Sequence, residues 1–330
     1  MHSNSSSISP EVTGGGDTKS QIQNWPIVSS FDDNYLWAWI VSTYTGCATS
    51  KHRPTRIIFS SRGGISPKNR KLIEDVSKWL QIKTIYQEIE LPEDLPVGEH
   101  FTPIVYSRLV AAEILNGNFI YMDVDILLSE GWDALLSLQP IPPGFVSRGV
   151  LEPISVIHLD LQNEAILKAG TNYFNAGIMQ IDADAFKLHN FQTAWKKLAK
   201  EYKQRNFKYA DQCILNYMLT GMNVSLSPNF NYFPAMWQDN PHGILPEVVH
   251  FAGQRKPWTI PAIERYRLFN AFRVHKFDRF FLVNYWRAER DLLISASKYS
   301  NILGKELHSL GKSGIKPTDI SFNRLKSRLR

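Results

Sequence analysis

The first apolar cluster runs from Trp25 to Phe31 and predicts a short strand, and the polar Asp32-Asp33-Asn34 behind it predicts a turn into a helix from Tyr35 to about Tyr44. Arg56 to Ser60 reads as a second strand. Ser66-Pro67 then offers an N-cap and a first-turn proline for a helix reaching Leu80, and Ile82 to Ile89 reads as a third strand. After a Pro-rich loop from Leu91 to Pro103, a helix from Tyr106 to Leu115 leads into the apolar strand Asn118 to Met122, which ends in Asp123-Val124-Asp125. Beyond it, Tyr173 to Ile181 predicts a buried strand, Ala183 to about Gln204 a long amphipathic helix, Asp211 to Leu219 a shorter one, and Val248 to Phe251 a last short strand. Short β-rich runs alternating with helices predict an α/β fold with a mainly parallel sheet. Ligands of such sheets bind outside the carboxyl ends of the strands.

At 330 residues and 43% hydrophobic content the chain can bury a full core. Residues 1–24 lack apolar periodicity and contain Ser5-Ser6-Ser7 and Gly14-Gly15-Gly16, so they are expected to be a disordered tail. The two cysteines, Cys47 and Cys213, exclude a disulfide framework and fit either a reducing compartment or indifference to redox state. No uncharged apolar run reaches 18 residues, and the opening stretch is polar, which predicts a soluble, cytoplasmic protein.

Charge changes the picture only at the end of the chain. Residues 259–330 hold fifteen Lys/Arg against six Asp/Glu, whereas the rest holds 22 against 25. Between Ile263 and Arg290, Phe269, Phe272, Phe277, Phe280, Phe281, Tyr285 and Trp286 interleave with basic residues. Such a segment can lie in a membrane interface on anionic lipid, or pack its rings on the preceding domain. The first reading predicts a peripheral protein on the inner face of the plasma membrane. Nucleic acid is set aside, because no RNA- or DNA-binding module accompanies the basic stretch.

The candidate chemistry centres on Asp123-Val124-Asp125. Two carboxylates two residues apart at the end of an apolar strand can hold one divalent cation, with magnesium or manganese suited to oxygen ligands. About one Asp-x-Asp is expected by chance in a chain of this size, and a second copy is present, Asp182-Ala183-Asp184. That copy stands at a strand-to-helix junction and is expected to cap the helix. The first is followed by Ile126-Leu127-Leu128, which gives no capping reason for two charges. His250, delivered by its own apolar strand, is the candidate third ligand. Gly253 and Lys256 follow within reach, and a metal-bound diphosphate would want that lysine.

Six ordered motifs now stand out: Phe31-Asp32-Asp33-Asn34-Tyr35, Tyr106-Ser107-Arg108-Leu109, Tyr121 to Asp125, Phe174-Asn175-Ala176-Gly177, Asp211 to Asn216, and His250 to Trp258. With them the chain resembles the family 8 glycosyltransferases, retaining enzymes that include bacterial lipooligosaccharide α-galactosyltransferases and glycogenins. The resemblance implies a GT-A fold: one Rossmann-like nucleotide-sugar-binding domain over residues 25–258, followed by the basic helical extension 259–330. It also implies that Asp32, Asn34 and Tyr35 hold the nucleotide and that Arg108 reaches the donor's sugar and phosphate. Asp123, Asp125 and His250 would ligate Mn2+ or Mg2+, and Lys256 with the Gly253 amide would neutralise the departing diphosphate. Asn175, Asp211 and Gln212 would line the sugar, with Gln212 nearest the anomeric carbon.

A glutamine is a poor nucleophile, so the resemblance favours front-face retention, with Asp211 as a covalent nucleophile the open alternative. Where the galactosyltransferases carry an aspartate that grips sugar hydroxyls, this chain has Glu152, which leaves galactose and glucose both open as donor sugars. The expected activity is transfer of a hexose from a UDP-sugar to a glycan acceptor, a lipooligosaccharide or another lipid-linked saccharide. Two other classes compete. A haloacid-dehalogenase-like phosphatase also places Asp-x-Asp after an apolar strand but leaves the nucleotide motifs unexplained, and a nucleotide-sugar- or glycan-binding protein of the same fold would have lost turnover.

Overall fold

The structure, a computed structural model, describes residues 23–96, 102–152, 162–233, 245–252, 256–260 and 276–311. The expected N-terminal tail, but for residues 23 and 24, and the closing basic stretch from Asn323 lie outside the described residues.

Seven strands form one sheet: β1 (Ile27–Ser30), β2 (Arg56–Ser61), β3 (Thr84–Ile89), β4 (Asn118–Met122), β6 (Ser147–Leu151), β7 (Phe174–Asp182) and β8 (Asn223–Leu226). A separate pair is made by β5 (Ile126–Leu128) and β9 (Val248–His250). The sheet order is β3-β2-β1-β4-β7-β6-β8, with β7 alone antiparallel to its neighbours. The sheet is mainly parallel, as the alternating pattern predicts. Its central strands bury both faces, which is why they read as continuous apolar runs. In β2, Ile57 and Phe59 join one side of the core and Ile58 the other; in β4, Phe119 and Tyr121 oppose Ile120 and Met122.

Helix α1 (Leu36–Thr49) follows a single 3-10 turn, Asp33–Tyr35, so the Asp32 turn opens the helix slightly later than its sequence indicates. Helix α2 (Pro67–Leu80) has the expected start, with Ser66 Oγ accepting from Asn69 N. Helix α3 (Ser107–Ile114) is entered through a 3-10 turn at Pro103–Tyr106. Three elements carry no clear pattern of their own: β6, β8 and the short helix α4 (Glu164–Ala169).

The long helix expected over residues 183–204 is two helices, α5 (Ala183–Leu188) and α6 (Phe191–Lys200). Asn190 breaks it by adopting a left-handed conformation at φ 56°, which asparagine tolerates. Phe186 and Phe191 pack across the break with ring centroids 5.6 Å apart, so the apolar stripe survives the interruption. At the start of α5, Asp182 accepts from the backbone N–H groups of Asp184 and Ala185, the capping role expected for the second Asp-x-Asp. Helix α7 (Ala210–Met218) completes this side.

Helices α8 (Lys276–Tyr299) and α9 (Asn301–Leu310) bear out the helical C-terminal part. Three of the rings expected at a membrane interface are instead core residues. Phe281, Tyr285 and Trp286 are buried against the face that carries α1 and β9. Trp37 of α1 donates from Nε1 to Glu289 at 2.7 Å, and Trp286 Nε1 donates to the Pro257 carbonyl at 3.1 Å. The physical reason is that α1 and the β5–β9 pair leave an apolar face that α8 covers. Phe269 and Phe272 lie outside the described residues. Among the described residues no helix is long and apolar enough to cross a membrane.

Candidate active site at the strand ends

The sheet brings distant motifs to one edge. β1 and β4 run parallel, Val28 opposite Tyr121, so the Asp32 turn and Asp123 leave the sheet on the same side. β7 runs the other way, and its first residues therefore arrive where β4 ends: Met122 pairs with Ile178, and Asp123 N donates to Gly177 O at 2.8 Å. β6 ends with Leu151 beside Phe174, which delivers Glu152 to Asn175.

Behind Asp125 the chain forms β5, whose antiparallel partner is β9 with Ile126 opposite His250. The apolar triplet after the aspartates is the strand that recruits the histidine. Asp123, Asp125 and His250 each offer a ligand atom within 4.8 Å of the others. His250 Nε2 lies 3.3 Å from Asp125 Oδ1 and 3.8 Å from Asp123 Oδ2. Ligands of one octahedral cation at about 2.1 Å stand roughly 3 Å apart when adjacent. The three residues, two carboxylates and one imidazole, are therefore spaced so that they could hold one divalent cation.

Such a cluster is electrostatically demanding. Burial pushes both carboxyls up, and at Asp123 it prevails over Arg108, with Asp125 adding repulsion. At Asp125 burial is outweighed by the attraction of His250 and Lys256 and by their hydrogen bonds, which hold its carboxyl well below the usual carboxylate range. Lys256 Nζ contacts Asp125 Oδ2 and donates to the Phe251 carbonyl at 2.9 Å. Gly253 and residues 254 and 255 lie outside the described residues.

Arg108 is buried beneath the site. It donates from Nη2 to Asp123 at 3.0 Å and from Nη1 to the Ala176 carbonyl, its guanidinium carbon 4.4 Å from the Tyr121 ring centroid. Its Nε stands 2.7 Å from Asp211 Oδ2, an ion contact outside hydrogen-bond geometry. Burial pushes the Asp211 carboxyl up to about 7 despite that arginine, with Asp123 raising it further.

Glu152, Asn175 and Gln212 form one hydrogen-bonded group. Asn175 Nδ2 donates to Glu152 Oε1 at 2.9 Å and Gln212 Oε1 at 3.0 Å, and the Ala176 amide donates to the same Gln212 oxygen at 3.2 Å. Glu152 Oε2 is buried without a hydrogen-bond partner among the described residues. Gly177 adjoins this group for a steric reason: a Cβ there would lie 2.3 Å from His250 Cε1.

The motif expected to hold the nucleotide is a capped turn. Asp32 accepts from Asn34 N at 3.0 Å and from Asn34 Nδ2 at 3.3 Å, and Asp33 accepts from Ser66 N at 3.0 Å. Tyr35 is 37% exposed, with Trp258 edge-on at 5.7 Å. Its phenol is raised by burial, opposed by Lys256 and reinforced by Asp125, Asp32 and Asp123, which places it beside the charge cluster. Tyr232 and Phe233 are buried, against Phe281 and His250 respectively. Sequence reasoning missed Asn231, whose Oδ1 is 2.9 Å from His250 Nδ1. An asparagine in a loop 19 residues before the histidine carries no pattern that could reveal it.

The sequence model described as glycosyl transferase family 8 matches residues 26–260. General stress protein A of Bacillus subtilis is 26% identical over 73% of this chain and 90% of its own length. Lipopolysaccharide 1,2-glucosyltransferase of Escherichia coli is 23% identical, covering 53% of this chain and 56% of that protein. The crystal structure of the galactosyltransferase LgtC with donor and acceptor sugar analogues superimposes with a TM-score of 0.60 at 20% identity, over 80% of this chain and 94% of that one. That likeness speaks for the fold.

Proposed function

Because the chain belongs to glycosyltransferase family 8, we propose that it transfers a hexose, galactose or glucose, from a UDP-sugar to a glycan acceptor with retention of configuration. The observation that carries the reading is the convergence of Asp123, Asp125 and His250 at the carboxyl edge of the sheet, with Lys256 in the same cluster. A bound Mn2+ or Mg2+ would supply Lewis-acid charge to the diphosphate. Asp123, Asp125 and His250 are the residues that would hold it. The Lys256 ammonium, now on Asp125 and the Phe251 carbonyl, can exchange onto a phosphate oxygen as charge develops there. Tyr35 and the Asp32–Asn34 turn border the space a nucleoside would take, and Gly253 is proposed to add its amide.

On the sugar side, Glu152 offers to a hydroxyl a buried carboxylate oxygen that has no hydrogen-bond partner among the described residues, beside Asn175 and Gln212. Gln212 has its amide oxygen fixed by the Ala176 N–H, which suits it to orient the sugar. Asp211 is engaged with Arg108 and its carboxyl is pushed up to about 7, conditions that weaken it as a nucleophile and support the front-face route.

For the acceptor we propose a lipid-linked saccharide, with contact to an anionic membrane through exposed cations of the C-terminal extension such as Arg287, Lys298 and Lys305. Charge reversal at those three positions should abolish cosedimentation with anionic liposomes; unchanged sedimentation would remove the membrane contact from this reading. The activity itself is tested by incubating the protein with Mn2+ and UDP-galactose, UDP-glucose and their N-acetyl forms. Slow UDP release from one hexose donor, lost in Asp125→Ala, is expected, whereas tight binding with no UDP release from any donor would identify a binding protein instead.

A further inference from the structure

Three backbone and side-chain contacts link the sugar-lining group to the candidate metal ligand. The Gly177 N–H donates to Asn175 Oδ1 at 2.8 Å, Asn231 Nδ2 reaches the same oxygen at 2.8 Å, and Asn231 Oδ1 stands 2.9 Å from His250 Nδ1. The direction of every bond in this chain is settled by its first member. A backbone N–H can only donate, so the Asn175 atom it meets is the carbonyl oxygen, which leaves Nδ2 to face Glu152 and Gln212. An oxygen acceptor at Asn175 requires a donor from Asn231, so its amide group points there and its carbonyl oxygen points at the imidazole. That oxygen can only accept. His250 must therefore carry a hydrogen on Nδ1.

We infer that Asn231 is a positioning residue that holds His250 in the Nδ1–H tautomer, leaving the Nε2 lone pair directed at the two aspartates for a divalent cation. The inference rests on the cation site of the preceding section and adds a residue that no motif marks. Asn231 is fully buried, as is most of His250, so no water competes for the bond. The ring is fixed on its other faces as well: Gly177 leaves room for its Cε1–Nδ1 edge, and Phe233 packs at a centroid distance of 5.0 Å. An outer partner of this kind sets both ring orientation and which nitrogen ligates, and its loss typically weakens metal affinity about 10- to 100-fold. The same chain of bonds runs from Glu152 through Asn175 to Asn231, so the sugar-lining residues and the imidazole share one hydrogen-bond polarity.

The test uses the full chain without donor. Free Mn2+ is followed by electron paramagnetic resonance during titration of the unmodified protein, His250→Ala and Asn231→Leu, with thermal unfolding to show that each is folded. Expected is Mn2+ binding by the unmodified protein, lost in His250→Ala and weakened about 10- to 100-fold in Asn231→Leu. Asn231→Leu binding Mn2+ as tightly as the unmodified protein, while His250→Ala does not, would overturn the positioning role and leave the metal site standing. Mn2+ binding that is absent, or indifferent to His250→Ala, would overturn the metal site and the positioning role with it. If Asn231→Leu does not fold, long-range 1H–15N NMR of the unmodified, Mg2+-saturated protein decides alone: a proton on Nδ1 and a bare Nε2 are expected, and the reverse tautomer refutes the inference.

Discussion

Gly177→Ala adds one methyl group at the point where the sheet, the hydrogen-bonded group of Glu152, Asn175 and Gln212, and the histidine meet. Gly177 is not at positive φ, so the backbone accepts alanine there and the effect is steric. The new carbon would stand 2.3 Å from His250 Cε1, 2.6 Å from His250 Nδ1 and 2.9 Å from Asn175 Oδ1. Ordinary carbon contacts are about 3.5–4.0 Å, so the imidazole has to retreat by roughly 1 Å. It has no easy retreat, being held by the β9 register, by Asn231 and by Phe233. Overpacking of this kind costs about 1–3 kcal/mol, and a retreat of roughly 1 Å far exceeds the spread of about 0.2 Å that metal–ligand distances show. Chemical denaturation should show that loss of stability, and Mn2+ titration a fall in affinity of about two orders of magnitude. The decisive measurement is a double-mutant cycle with His250→Ala. If the clash is with the ring, Gly177→Ala should cost far less once the ring is gone, giving a coupling of about 1–3 kcal/mol. An equal cost in both backgrounds would refute the steric reasoning.

The two Asp-x-Asp copies should behave oppositely: Asp182→Ala is expected to cost about 1 kcal/mol of stability through the lost cap and leave UDP release near normal, while Asp123→Ala abolishes it, as donor-hydrolysis assays and denaturation will show. Asp211 has a folded pKa of about 7, above its unfolded value near 3.9, so its contribution to stability is complete below the lower value and is lost as pH rises through the higher. Asp211→Asn should therefore gain on the unmodified protein between about pH 4 and 7 in thermal melts, and a pH-independent difference would count against the buried-acid picture. If Asp211→Asn also retains substantial turnover, a covalent intermediate on that carboxylate is ruled out. Glu289→Ala leaves the buried Trp37 N–H without its carboxylate and should lower stability by about 1–3 kcal/mol; no change in the denaturation midpoint would mean that this bond does not help anchor α8 to α1.

Much of this protein follows from local patterning. The buried strands, the Ser66 cap of α2, the strand end at Asp123 and the helix cap at Asp182 each depend on a few consecutive residues, so periodicity and turn chemistry suffice to find them. The break at Asn190 was not legible, because the apolar stripe continues through it and only the backbone angle changes. Nor was the fate of the aromatic C-terminal segment: rings among cations suit a membrane interface and a protein core equally, and the choice fell to the core because α1 presents Trp37 and an apolar face to α8.

The candidate site divides the same way. Residue types and order mark Asp123, Asp125, His250 and Lys256, since carboxylate, imidazole and ammonium chemistry is carried by the side chain itself, while Gln212 was marked only by the resemblance to the family. Tertiary structure alone decides that β7 runs backward so that Asn175 and Gly177 reach the end of β4, that β5 pairs with β9 to set His250 opposite Ile126, and that Asn231 reaches Nδ1. These are contacts across long loops, where strand direction and register fix who meets whom, and neither is encoded in any short stretch of the chain.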